Sequence, residues 1–273
     1  MLTVFFVVLI LVPVRCFNNS SKLPELESRI YSGYDVGIDQ YSYASFLYFE
    51  TTSPSSCGGS LIMVQAVLTA AHCVDELRYS RGIMYAYFGG TIPNKFRAVR
   101  QVVDYEINPK YDEEKGRNNL AVAFLSDRVP LQHYIKKIPL TTKEPKVEDI
   151  LFSAGWGKQR VTEKPTKLPD FSKARSLKAT KQRVLGRNDC NKYAGFKVSA
   201  TTLCTMPEIG HFFKDDAGNG LVQKHPVLVL VGVLSFVSNG ISVSTGVFTS
   251  RDWIIAATHR LYVSNCPKKT KKS

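Results

Sequence analysis

Between Thr205 and Ser235 the chain contains no serine, threonine or cysteine. A long stretch of its C-terminal half therefore offers no side-chain hydroxyl or thiol as a nucleophile for acyl transfer. Carboxylates are also scarce, with 23 Asp and Glu against 36 Lys and Arg and a formal net charge of +13. None lies between Arg78 and Val103, so that stretch lacks the oxygen ligands a hard cation requires. The five histidines, His72, His133, His211, His225 and His259, show no paired metal spacing. No metal or cofactor is expected. No apolar run is long enough to cross a bilayer core of about 30 Å. Only Phe171 interrupts the basic positions between Lys158 and Arg187, too little aromatic surface for stacking bases, and nucleic acid is not an expected partner.

What is present reads as a secreted globular protein. Hydrophobic residues make up 44% and aromatics 11% of 273 residues, which excludes a disordered chain. Residues 1–16 open with the apolar run Leu2 to Val14, followed by Arg15 and Cys16, and read as a secretory signal peptide, although no Lys or Arg precedes the run. The polar segment 17–29 follows, and in it Asn18 and Asn19 each begin an Asn-x-Ser sequence, making both glycosylation candidates. Six cysteines in an exported chain indicate disulfides. If the signal is cut after Cys16, Cys266 becomes an odd thiol, either quiet or able to join two chains.

Short apolar stretches separated by turn residues run from Ile30 to about Lys136. Ala44 to Phe49, Ser60 to Leu68, Ile83 to Phe88 and Ala98 to Val103 are examples. The texture resumes with Ile150 to Ala154, Leu203 to Met206, Pro226 to Phe236 and Ser242 to Phe248, so the fold class is all-β. Ser250-Arg251-Asp252 is expected to cap an amphipathic helix over 250–261 with Trp253, Ile254, Ala257 and Leu261 on its apolar side. A basic tail, 262–273, ends the chain.

Two motifs carry chemistry. Thr69-Ala70-Ala71-His72-Cys73 and Lys214-Asp215-Asp216-Ala217-Gly218-Asn219-Gly220 together resemble the chymotrypsin/trypsin family of serine proteases. The resemblance spans about Ile30 to Leu261. It implies two packed six-stranded Greek-key β-barrels, over 30–136 and 137–249, and a C-terminal α-helix. It also implies disulfides Cys57–Cys73, around the histidine, and Cys190–Cys204. The family's bridge beside its nucleophile lacks both ends here, at Phe213 and near Gly240.

Carried over residue by residue, the resemblance makes His72 the general base. Asn119, in Asn118-Asn119-Leu120-Ala121, takes the place of the triad Asp, and Ala217 that of the serine. Asp112 lies too early to substitute. A methyl group has no lone pair for attack, and an amide can favour the wrong imidazole tautomer; in the chymotrypsin template that exchange alone costs about 10⁴ in turnover. Asp215 replaces an oxyanion-hole glycine, putting a carboxylate where negative charge develops, and Asn219 replaces a second glycine. At the specificity pocket His211 stands for the basic-residue-binding Asp, Val237 for a glycine, and Gly246 is retained, so a narrowed apolar pocket or none is expected. Ser28-Arg29-Ile30-Tyr31-Ser32-Gly33 partly matches the family's activation site, in which a freed Ile30 amine would pair with Asp216.

The expected function is a secreted non-catalytic homologue that binds an extracellular protease, substrate or inhibitor, as cofactor or decoy. An active trypsin-like endopeptidase is the alternative that ancestry favours, and Ala217, Asn119 and Asp215 stand against it. A heparin or other polyanionic-glycan module, using Lys158 to Arg187 and the lysine tail, is a third reading that can coexist with the first.

Overall fold

The computed structural model describes residues 30, 32–50, 55–79, 82–92, 95–157, 176–224 and 226–265. The signal segment, Asn18, Asn19, Arg29, most of the basic connector, Cys266 and the lysine tail lie outside the described residues.

In the first barrel successive side chains alternate between two buried faces: along Ala44–Glu50, Leu47 and Phe49 enter the barrel interior while Phe46 and Tyr48 join a second buried cluster. Strands β2 (Ala44–Glu50), β3 (Ser55–Met63), β4 (Ala66–Thr69), β5 (Ile83–Phe88), β6 (Ala98–Ile107) and β7 (Ala121–Leu125) close in the order β2-β3-β4-β7-β6-β5. Closure leaves no unpaired edge. Leu47, Phe49, Leu61, Val67, Met84, Phe88 and Leu125 fill its interior. Ser60 to Leu68, read from sequence as one stretch, is two strands, because the chain turns at Val64-Gln65 and pairs Ser60 with Leu68.

The second barrel uses β8 (Ile150–Gly155), β9 (Lys178–Val184), β10 (Thr202–Ile209), β11 (Gly220–Lys224), β12 (Leu228–Ser238) and β13 (Ile241–Gly246). The sheet order β9-β10-β13-β12-β11-β8 is closed by pairing of β8 with β9. A two-residue strand, β1 (Tyr34–Asp35), adds to the outside of β9. Ile30, Leu151, Val184, Phe212, Leu221, Val231 and Leu234 form the interior cluster.

Three helices are described, two of which the sequence did not signal. The first, α1 (Ala71–Tyr79), follows β4 directly and carries His72 in its first turn. The second, α2 (Arg187–Ala194), ends on Gly195 in the left-handed region, whose N–H reaches the Asn191 carbonyl. The third, α3, runs over Val247–Asn265 rather than 250–261. Ser250, expected as its cap, is a buried residue of the first turns. The helix starts where β13 ends at Gly246, so Val247 and Phe248 are helical rather than strand.

The largest apolar cluster joins the two barrels and α3. In it Phe46, Tyr87, Phe96 and Trp156 pack ring against ring at 5.2–6.2 Å, a spacing that adds to area burial. Trp156 is 2% exposed and donates its Nε1–H to the Thr91 carbonyl at 3.0 Å. Replacing Trp156 with Ala should lower unfolding free energy by about 3–5 kcal/mol, read from urea midpoints. The same change at exposed Ile255 on α3 should stay within about 0.5 kcal/mol. Equal effects would deny the seam its structural weight.

Candidate functional site

The site forms where the barrels meet. His72 enters through α1, and the Cys57–Cys73 disulfide ties the helix to β3. Cys190–Cys204 likewise ties α2 to β10. Asn119 arrives from the loop before β7. Its neighbour Asn118 adopts φ 49°, a left-handed conformation that asparagine accepts more readily than most residues. The Asn118 side chain anchors that turn, donating to the Lys110 carbonyl at 2.8 Å and accepting from Thr201 Oγ1 at 3.0 Å.

These anchors decide how Asn119 meets His72. Asn119 Oδ1 accepts the backbone N–H of His72 at 3.1 Å. Its Nδ2 then faces His72 Nδ1 at 2.8 Å. An amide nitrogen can only donate, so Nδ1 must accept, and the neutral ring carries its proton on Nε2. A base acting at Nε2 needs that nitrogen free of its proton. In this arrangement the proton-accepting atom is the one turned to Asn119.

Ala217 follows a short 3-10 turn, Lys214–Asp216. Its carbonyl accepts from Gly58 N–H at 2.7 Å, and Gly58 neighbours the Cys57 bridge to Cys73. The turn closes on Gly218, at φ +84°. A Cβ there would lie 2.3 Å from the Gly58 carbonyl oxygen and 2.5 Å from Thr69 Oγ1, so only glycine fits. Asp215 is half-buried and borders a small void with Phe46, Cys57, Trp156 and Asn219.

Asp216 has no solvent exposure. Phe213 N–H donates to its Oδ2 at 2.9 Å, Asn219 Nδ2 to its Oδ1 at 3.2 Å, and Gly157 N–H also donates to it. All three donors are neutral. Burial pushes the carboxyl up to about 7; Phe213 N–H opposes this, nearby Asp215 adds to it, and Gly157 and Asn219 oppose it. Ile30 is also fully buried, in the second-barrel cluster. Asn219 was legible only as a lost glycine. Its side chain fills the gap between Gly58 and Gly155, where an added Cβ would lie 1.8 Å and 2.1 Å from it.

Beside His72 opens a cleft of about 910 Å³, lined by Tyr111, Gly116, Asn119, Phe196 and Phe236 and by charged side chains including Arg117. Phe196 and Phe236 lie 6.4 Å apart and Gly116 packs on Phe236. Phe196 carried no signal in the sequence. His211 and Val237 do not line this cleft, and Gly246 lines a separate recess of about 20 Å³ with Thr201 and Phe248. The three expected pocket positions thus do not share one of these cavities. Cys57, His72 and Cys73 gather within 4.8 Å, but both sulfurs are spent in the disulfide and offer no thiolate.

Two antiparallel barrels with a histidine at their seam define a chymotrypsin-like architecture. The Trypsin family model matches residues 30–254, and the chain belongs to that family. It is 25% identical to trypsin alpha of Drosophila melanogaster over 88% of this chain and 91% of that protein. Hypodermin-A of Hypoderma lineatum is 26% identical, covering 78% and 79%. Among solved structures the fold matches the scabies mite inactivated protease paralogue S-D1 with a TM-score of 0.71 and 23% identity, over 84% of this chain and 97% of that one. HL collagenase matches at 0.67 and 22%, over 84% and 99%.

Two measurements check this geometry. Nitrogen-15 spectra of His72 should show the Nε2–H tautomer at neutral pH, and Asn119→Asp should move the proton to Nδ1; a wild-type Nδ1–H ring would contradict the amide orientation. For Asp216 the folded pKa is raised above the carboxylate reference of 3.8, so between pH 4 and 7 the folded state holds the extra proton. Its stabilising share is therefore present at low pH and is lost as pH rises through about 7, a swing on the order of 4 kcal/mol. With Arg29→Gln keeping the chain uncut, the melting temperature should fall relative to an Asp216→Asn variant from pH 4 to pH 8. A flat difference would remove the buried-carboxylate assignment.

Proposed function

We propose that this chain is a secreted, non-catalytic member of the trypsin family that acts by binding protein, as cofactor or decoy in an extracellular protease cascade. One observation carries the reading: Ala217 stands at the nucleophile position. The Asn119–His72 geometry supports it independently, because a ring protonated on Nε2 cannot take a proton there. Asp215, at the oxyanion position, works in the same direction. The scabies mite neighbour, described as inactivated, supports the idea that such barrels persist without turnover. The retained cleft with Phe196 and Phe236 gives a binder somewhere to hold an extended segment. Among the described residues no helix is long and apolar enough to cross a membrane.

On this reading, cleavage after Arg29 frees an Ile30 amine to pair with Asp216, a carboxylate whose partners here are neutral. An ammonium there favours the charged carboxylate, so cutting should flatten the pH slope of stability. A slope unchanged by cutting would make Arg29 and Ile30 inherited packing rather than a switch. The reading of lost turnover is tested with a serine-directed fluorophosphonate after cleavage at Arg29. Wild type should remain unlabelled, and Ala217→Ser alone should gain little, since Asn119 and Asp215 remain. The triple variant Ala217→Ser, Asn119→Asp, Asp215→Gly should label faster than Ala217→Ser by about a hundredfold or more. Labelling and peptide hydrolysis by wild type would return the chain to the active endopeptidases.

A further inference from the structure

Several cations of the described chain are matched by local carboxylates. Arg78 pairs with Asp75, Lys115 with Asp112, Lys178 with Asp35, Lys181 and Arg183 with Glu208, and Arg260 with Glu106. The cations at the start of β6 and in the segment after β7 are different. Lys95, Arg97, Arg100, Arg128, Lys136 and Lys137 make no ion pair among the described residues. The sequence explains this, since no Asp or Glu occurs between Arg78 and Val103 or between Asp127 and Glu144. Asp127, next to Arg128 in sequence, turns its Oδ1 back to the Arg128 N–H at 2.7 Å.

The fold brings these two segments together. Ser126 N–H donates to the Gln101 carbonyl, setting the segment after β7 beside β6. Arg100 donates from Nε and Nη2 to the Arg128 carbonyl at 3.2 and 2.9 Å, and from Nη1 to the Val99 carbonyl at 2.8 Å. The Arg97 guanidinium lies 4.3 Å over the Tyr134 ring, and Arg97 and Ile135, the residue before Lys136, both flank Gly89, where an added Cβ would lie 3.3 and 2.8 Å from them. Two guanidiniums are thus held in place before any ligand arrives, which lowers the ordering cost of binding. All but Arg100 are exposed, and none of the six lines the cleft beside His72.

We propose that this flank binds a linear sulfated polysaccharide. Several unpaired cations gathered from two adjoining segments match a repeating anion, and guanidinium forks suit sulfate oxygens. Tyr134 is covered by Arg97, so the patch lacks the open aromatic anchor that dominates protein interfaces. The site differs from the connector and tail, which supply basic residues elsewhere in the chain, and it does not depend on whether turnover is lost.

The test uses the full mature chain and heparin as the probe, with affinity measured across a sodium chloride series. The triple variant Arg97→Gln, Arg100→Gln, Arg128→Gln should bind on the order of tenfold more weakly or worse at 0.15 M salt. Its log–log salt slope should be shallower by about three, one for each cation removed. Lys136→Gln with Lys137→Gln, whose side chains hold no hydrogen bond among the described residues, should weaken binding in the same direction without changing the melting temperature. Removing residues 267–273, or neutralising Lys158, Arg160, Lys164 and Lys167, should leave most of the affinity. The proposal fails if wild type does not bind heparin, or if those latter variants abolish binding while the barrel variants keep it. It also fails if polyglutamate or anionic vesicles bind as tightly as heparin.

Discussion

Asp216 is a carboxylate with no exposure whose hydrogen-bond partners are two backbone N–H groups and one side-chain amide. A buried carboxyl that lacks a cation is tolerated only where fixed donors satisfy its oxygens or where it keeps its proton, as burial favours here up to about pH 7. That requirement shapes the surrounding seam. Asn219 must reach Asp216 from between Gly58 and Gly155, so neither glycine can carry a side chain. Gly218 must approach the Gly58 carbonyl so closely that the turn carrying Ala217 has one backbone solution. Gly58 in turn donates to Ala217, and its neighbour Cys57 holds α1 and His72 through the disulfide. The geometry of the site therefore descends from one buried acid and the amide beside it.

This geometry separates two properties often treated as one. The scaffold around His72 is built from the disulfide, the histidine helix, the asparagine loop and the open cleft. The chemistry depends on single atoms instead. A hydroxyl oxygen, a carboxylate oxygen or an unobstructed pair of N–H donors is a matter of single side chains, whereas the fold packs around features such as the buried aromatic seam of Trp156 and Phe46. Fold and catalysis are under different physical constraints, so membership of the family does not carry activity with it.

The surface charge follows similar logic. Unpaired cations on a solvent-exposed flank cost the fold little, because water screens them. They can accumulate there when local acids are absent, and they become useful only to a partner that brings its own anions. A cleft with aromatic walls and a basic flank are separate surfaces on one molecule, available to different classes of ligand.

Much was legible before any coordinates. Alternating apolar stretches gave an all-β chain, and Ile83 to Phe88 coincides with β5. The C-terminal helix was visible in Ile254, Ala257 and Leu261, although it begins earlier, because Val247 reads equally well as strand or helix out of context. The chain reversal inside Ser60 to Leu68 and the helices α1 and α2 left weak local patterns. Above all, residue identity at 217 determined what atoms could act there, since a functional group belongs to its side chain wherever the chain goes. Which end of the Asn119 amide faces His72, what fills the gap left by two glycines, and whether Asp216 meets a cation or a neutral donor were decided only by the tertiary structure. Those properties arise from desolvation and from contacts between segments distant in sequence, and no local stretch contains them.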